Sequence, residues 1–420
     1  MKDKLIKISF LGDIMCEMPL LRASKVGKGQ YNFDKVFDNM KEKFQESDYV
    51  VGNLETISAG KDYRYTNHIY SFNTPSEFIE SIKISGIDLV TTATNHSLDR
   101  GVSGLIANLN TLDRYDLKNV GTYRDKKRSE ELFIEEINGS RIAFLNYTFG
   151  TNAHINGVEL TEDELVHINL LKPQTSEIKK YKQKTQSKQI KSLIARIIFK
   201  FISLKNWVLL KRKLGFKYNT SYQDNDLSEI NNQYLNKIKA EILDAKASAD
   251  LVIVCMHSGG QFHPEPGKFS KYMMQFMKEN GVDIVVGNHP HVVQKSEWFS
   301  NGMFGAYSLG NFSISPGSVY IIDDDLPEYS IMLHFYIGAK SKKVEKVTFT
   351  ILKIVEFEDK SLTVYPIDHL YEIVSERKKK DIILNATKIY NRFSKKNIRK
   401  IEIRQEYDIN IGNEGDFNGQ

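Results

Sequence analysis

Val282-Asp283-Ile284-Val285-Val286-Gly287-Asn288-His289-Pro290-His291 is a mostly apolar run of strand length that breaks into a polar cluster carrying two histidines. Four other segments repeat the pattern. Ile6 to Leu11 leads into Gly12-Asp13-Ile14-Met15, Tyr49 to Val51 into Gly52-Asn53-Leu54-Glu55, Ile87 to Ala93 into Thr94-Asn95-His96-Ser97, and Leu251 to Met256 into His257-Ser258-Gly259-Gly260. Mostly apolar runs of this length read as buried strands of an α/β protein. Side chains just past the carboxyl ends of parallel strands meet at one edge of the sheet, where such folds bind ligands. The five polar clusters are therefore expected to form one site.

The residue types suit metal-assisted hydrolysis. Two cations roughly 3.5–4 Å apart need a bridging carboxylate, neutral imidazoles and an open position for water. Asp13 and Glu55 are the carboxylates, His257, His289 and His291 the imidazoles, and Asn95 offers an amide oxygen. Asn53, two residues before Glu55, is grouped with these metal candidates. His96 is the candidate proton donor to a leaving group. Asp99 and Arg100 either orient His96, bind an anionic substrate, or simply pack. His263 and Glu265 lie in the Gly-rich stretch Ser258 to Gly267, read as a loop over the site with substrate contact in view. His68, His154, His167, His334 and His369 are read as surface or hydrogen-bonded histidines without a site role.

Capping and periodicity supply the frame. Thr74-Pro75-Ser76-Glu77 reads as a capping box, and Gly86 as a C-terminal cap, giving a helix over 75–85. Further helices are expected over about Val102 to Tyr115 and Ser270 to Asn280, the latter closed by Gly281, with a strand over Arg141 to Asn146 between them. Alternation of strands and helices indicates a layered α/β fold with helices on both faces. Lys346 to Phe357 and Leu362 to Tyr365 alternate strongly and read as late antiparallel strands at a sheet edge. After Pro366 the chain is expected to be a lysine-rich helical extension ending in a disordered tail. The division is thus 1–365 for the main domain and 366–420 for the extension.

The series of clusters resembles the calcineurin-like metallophosphoesterase pattern and, more closely, its CapA-type poly-γ-glutamate capsule synthesis branch. The resemblance is carried by Gly12-Asp13-Ile14-Met15, Asn53-Leu54-Glu55-Thr56, Asn73-Thr74-Pro75 and Asn95-His96-Ser97-Leu98-Asp99-Arg100-Gly101. It continues through His289-Pro290-His291-Val292-Val293-Gln294 and Tyr307-Ser308-Leu309-Gly310-Asn311-Phe312. It implies a metallophosphoesterase-like sheet sandwich flanked by helices, two divalent ions drawn from manganese, iron or zinc, and a substrate contact at Asn311. Met15 stands where general phosphoesterases carry a metal-binding histidine, leaving the first ion a ligand short. Asn288 occupies a position often filled by histidine. His257-Ser258-Gly259-Gly260-Gln261 lacks the tryptophan and the carboxylate common at this place in the branch.

Composition adds limits. The chain has 420 residues and two cysteines, Cys16 and Cys255, which excludes a disulfide framework. Cys255 reads as a core residue, and Cys16, three residues past Asp13, also reads as packing before metal ligation. Ile168 to Tyr222 holds 14 Lys or Arg against one acid, Glu177, a balance of +13 in a chain of net +5, so the rest is net −8. Within this insertion Ile190, Leu193, Ile194, Ile197, Phe201, Leu204 and Val208 form a helical stripe bordered by lysines and Trp207. Such a helix over 188–211 suits either packing on the domain or an anionic membrane surface. The acidic remainder disfavours nucleic acid. No secretory signal and no spanning run are read in the sequence, so a cytoplasmic protein, peripheral on the inner membrane face, is expected. Two functions stay open. One is a metal-dependent hydrolase in capsule or exopolymer biosynthesis. The other is a non-catalytic subunit of a polymer synthesis or export complex that binds an anionic polymer or nucleotide.

Overall fold

The computed structural model describes residues 4–183, 224–318 and 321–409. The expected basic helix over 188–211 and the tail from 410 onward lie outside the described residues.

Two sheets stack face to face. The larger runs in the order β13-β12-β11-β1-β2-β3-β4, with β14 added beside β12. Its strands are β1 (Leu5–Ile14), β2 (Tyr49–Leu54), β3 (Leu89–Thr91) and β4 (Lys118–Val120), joined by β11 (Tyr329–Gly338), β12 (Val344–Glu356), β13 (Leu362–Pro366) and β14 (Tyr407–Ile409). The smaller runs β9-β10-β8-β7-β6-β5, with β5 (Phe133–Ile137), β6 (Ser140–Thr148), β7 (Leu251–His257), β8 (Ile284–Asn288), β9 (Ser296–Trp298) and β10 (Phe304–Ala306). Strands β1 to β4 are mutually parallel, as are β6, β7, β8 and β10. Each parallel set is flanked by antiparallel strands.

Alternation along the strands decides which side chains meet. Ile6, Ile8, Phe10, Val51 and Leu89 of the larger sheet face Phe144, Ile253, Cys255, Ile284, Val286 and Phe304 of the smaller in one apolar layer. The neighbouring residues Val252, Val254 and Met256 point the other way, onto helices α3 (Asn232–Ser248) and α4 (Lys268–Glu279). Leu11, Ile14, Val50 and Val90 pack outward on α1 (Ser76–Ser85) and α2 (Gly101–Arg114). Both faces of β2, β7 and β8 are thus buried, which is why the sequence shows largely apolar runs there. The helices cover the outer faces of a sandwich, not the two faces of a single sheet, because the inner faces are consumed by sheet-on-sheet packing.

Several local expectations are corrected by long-range contacts. The capping box at Thr74 is not made: the N-cap is Pro75 without a side-chain cap, and Thr74 Oγ1 donates instead to the Ile57 carbonyl at 3.1 Å. Gly86 does close α1, at φ 104°. Helix α4 starts two residues before Ser270 because the buried Asp224 carboxylate accepts from the N–H groups of Gly267 and Ser270. The stretch after Pro366 does form helices, α5 (Ile367–Ile373) and α6 (Glu376–Ser394), but it is built into the sandwich. Ile382, Ala386, Ile389 and Phe393 of α6 join the inter-sheet apolar layer, and β14 pairs with β12.

Candidate metal centre

The carboxyl ends of β1, β2 and β7, β8 meet where the two sheets abut. Asp13 is in register with Asn53, and His257 with Asn288. The end of β1 is pinned by the segment following β10: Asp13 N–H donates to the Gly310 carbonyl at 2.9 Å, and Phe312 N–H to the Asp13 carbonyl at 2.8 Å. This approach explains two motif glycines. A Cβ at Gly12 would lie 2.0 Å from the Gly310 oxygen, and one at Gly287 2.1 Å from the Tyr307 oxygen. His289 and His291 sit at φ 101° and 58°. Non-glycine residues there cost about 1–3 kcal/mol each, a strain typical of functional sites.

Asp13, Glu55, Asn95, His96, His257, His289 and His291 are all buried in one cluster. Glu55 is at its middle. Its Oε1 lies 3.4 Å from His257 Nε2, 3.7 Å from His291 Nε2, and 3.9 Å from both His289 Nδ1 and His96 Nε2. His257 Nε2 is 2.7 Å from Asn95 Oδ1 and 3.2 Å from His289 Nδ1. Yet neither Glu55 oxygen has a hydrogen-bond donor among the described residues. A fully buried carboxylate without a donor is costly. Burial, and next the neighbouring Asp13, push its pKa well above the usual carboxylate range. Burial lowers His257 to about 3 and holds His289 well below the usual imidazole value, so both are neutral donors.

These features fit a divalent cation. Neutral imidazoles, an amide oxygen and an orphaned carboxylate form a mixed N/O set suited to zinc, manganese or iron. Glu55 with His289 and His291, and Glu55 with Asp13 and His257, each place one ligand atom per residue within 4.8 Å of one another.

Other candidates hold supporting places. Asn53 is held by its neighbours: its oxygen accepts from Thr91 Oγ1 at 2.8 Å, while its Nδ2 donates to Asp13 Oδ1 at 2.8 Å and lies 3.2 Å from His257 Nδ1. Asn311 is not turned to substrate either. Its Oδ1 meets His291 Nδ1 at 2.9 Å, and its Nδ2 donates to the carbonyls of His291 and Pro327. Asp99 Oδ2 is 2.8 Å from His96 Nδ1 and also accepts from Phe72 N–H at 2.6 Å, so it orients the ring. Arg100 is directed away, with its guanidinium donating to the carbonyls of Tyr63, Arg64 and Asp99 and to Ser71. Its task is to tie down the 63–71 loop. His263 Nδ1 is engaged by the Glu265 carbonyl at 2.8 Å, and Glu265 is exposed. Their neighbour Phe262 reaches the cluster, its ring tilted at 35° to that of His291 with centroids 5.5 Å apart.

Sequence reading missed the walls of the site. Phe72 lies 4.4 Å from the His96 ring and Phe149 4.6 Å from His289. Asn152, in the left-handed region at φ 53°, places Nδ2 3.5 Å from both His96 nitrogens. Phe149 and Asn152 follow β6, another parallel strand ending at the same edge, and that position was the available signal. Cys16 and Cys255 are fully packed thiols with pKa values pushed up by burial.

Comparison with known proteins gives a consistent assignment. The family described as bacterial capsule synthesis protein PGA_cap matches residues 7–315. Among curated proteins, the chain is 24% identical to the PGA biosynthesis protein CapA of Bacillus subtilis over 78% of its own length and 68% of that protein's. It is 24% identical to the capsule biosynthesis protein CapA of Bacillus anthracis, covering 79% of the chain and 65% of the relative. The chain thus spans about two thirds of these relatives. Among solved structures, a Mycoplasma pneumoniae chain described as a novel phosphatase aligns at 15% identity and a TM-score of 0.42, covering 83% of this chain and 94% of that one.

Proposed function

The chain belongs to the bacterial capsule synthesis protein PGA_cap family, and from that premise we propose that it is a metal-dependent hydrolase of a phosphoester or related bond in capsule or exopolymer biosynthesis. The observation that carries the proposal is Glu55, a buried carboxylate with no donor among the described residues and lying 3.4–3.9 Å from four imidazoles. Glu55, Asn95, His257 and His289 would hold the ion, with His291 Nε2 3.7 Å from the same Glu55 oxygen. A bound divalent ion supplies Lewis acidity, neutralising an anionic substrate and lowering the pKa of a water.

The remaining work falls to the chain. His96 donates its Nδ1 proton to Asp99, which fixes the ring and turns Nε2 toward the interior of the site, 3.9 Å from Glu55. That nitrogen can deliver a proton to a departing oxygen while Asp99 balances the imidazolium charge. Phe72, Phe149 and Phe262 exclude water around the imidazoles, which strengthens each electrostatic contact. An anionic polymer or small phosphoester is the substrate class that suits this set, and assembly with a polymer synthesis complex is the proposed setting. Among the described residues no helix is long and apolar enough to cross a membrane, and peripheral attachment to the inner membrane face through the basic segment 188–211 is part of this proposal.

The test is turnover by the metal-loaded full chain on aryl and alkyl phosphoesters. His96→Ala should slow hydrolysis of the poor alkyl leaving group far more than that of the good aryl one, because only the former needs protonation. Equal losses on both refute the acid role. Absence of turnover in the loaded wild type favours a non-catalytic, polymer-binding subunit.

A further inference from the structure

The two ends of the cluster are not equivalent. At one end, Glu55 Oε1 lies 3.4 Å from His257 Nε2 and 3.9 Å from His289 Nδ1 and has no donor among the described residues, while His257 Nε2 is 2.7 Å from Asn95 Oδ1 and 3.2 Å from His289 Nδ1. Donors bound about 2.1 Å from a tetrahedral ion lie about 3.4 Å from one another, so this spacing suits an ion's ligands.

At the other end, Asp13 is already satisfied by the protein. Its Oδ1 accepts from Asn53 Nδ2 at 2.8 Å, and its Oδ2 meets the His289 N–H at 3.3 Å and His291 Nδ1 at 3.2 Å. His291 Nδ1 is shared with Asn311 Oδ1. Where a further donor would be needed, Met15 supplies none. Its backbone is bracketed by Ser313 Oγ and its side chain joins the apolar cluster on the outer face of the larger sheet.

We infer that the centre holds one tightly bound divalent ion, at Glu55, Asn95, His257 and His289, and that Asp13 acts as a positioning residue bonded to Asn53, His289 and His291 instead of carrying a second ion. This rests on the metal-dependent reading above but not on turnover. Asp13 acts through its neighbours: a carboxylate at this point accepts the His289 N–H and so holds the strained Asn288-His289-Pro290-His291 turn in place.

The experiment loads the full chain with manganese, removes free ion by gel filtration, and counts bound metal by elemental analysis alongside electron paramagnetic resonance. Wild type and Asp13→Asn should each retain about one ion per chain, with the spectrum of an isolated manganese centre, while His257→Ala and Asn95→Ala retain several-fold less. Two ions in wild type, an exchange-coupled pair in its spectrum, or loss of the ion in Asp13→Asn with retained near-ultraviolet circular dichroism overturns the inference and leaves the hydrolase reading standing. No bound metal in wild type overturns both. One ion without turnover retains the inference and removes the hydrolase reading. The wild-type spectrum decides even if every variant misfolds.

Discussion

Binding of a divalent ion should raise the melting temperature, and the structure fixes how that rise depends on pH. In the ion-free protein burial, and next Asp13, hold the Glu55 pKa well above the usual carboxylate range, which favours its protonated form. His257, at about 3, and His289, well below its usual value, are already neutral. Wherever Glu55 carries its proton, entry of the ion displaces that one proton. Below the ion-free pKa of Glu55, affinity should climb about tenfold per pH unit, or about 1.4 kcal/mol. At a free ion concentration 100 times the dissociation constant, the stabilisation is about 2.7 kcal/mol. Unfolding entropy of about 2.1 cal/mol/K per residue, over 420 residues, makes that a shift of about 3 °C, and each pH unit adds about 1.5 °C. Calorimetric scans at pH 6 and 7, with chelator or with manganese, measure the shift. Titration in buffers of different ionisation enthalpy counts the proton. Release of two or more protons, or an equal thermal shift in Glu55→Gln, would refute the assignment of Glu55 as the group the ion discharges.

Other consequences are independent of the ion. His334 is fully buried between Ser9 and Thr350, and burial lowers its pKa to about 3. The unfolded chain takes up this proton near pH 6.5 and the folded one does not, so stability is full above that pH. It should fall as the pH drops toward 3, by about 2 kcal/mol between pH 7 and 5; an unchanged urea midpoint over that span would be the contrary result. Burial alone would raise the Glu406 pKa, but His334 and the hydrogen bonds from Lys7, Thr348 and Tyr336 bring it down to about 2. Its contribution, present above about pH 4.5 and lost as the pH falls through about 2, should be on the order of 1–2 kcal/mol after its partial exposure is allowed for, read as a difference between wild type and Glu406→Gln. Gly12→Ala forces a Cβ to within 2.0 Å of a backbone oxygen and should cost about 3 kcal/mol or more while reducing bound metal; wild-type stability would contradict the close approach. Deletion of 188–211 should abolish salt-sensitive sedimentation with anionic vesicles, and equal sedimentation of both forms would return that segment to a packing role.

The strands and their polar ends were legible because burial on both faces writes a largely apolar run, and because a site at strand termini must begin where that run stops. Gly12 and Gly287 were visible as motif glycines for the same reason, though the oxygen each one admits comes from Gly310 or Tyr307. The residue types at those termini also set the chemistry, since imidazole, carboxylate and amide donors permit a cation whatever their exact placement. What each donor faces was not legible. Asn53 belongs to Asp13 and Thr91, Asn311 to His291, and Arg100 to the loop at 63–71, and each pairing spans 20 to 40 residues of chain. Asp224 caps a helix that begins 44 residues later, and β14 closes on β12 after the whole of α5 and α6. Periodicity records which face of an element is buried and nothing of its partner. Partners are set by how two sheets stack, so only the tertiary structure decided which of the clustered side chains remain free for an ion and which are spent holding the others.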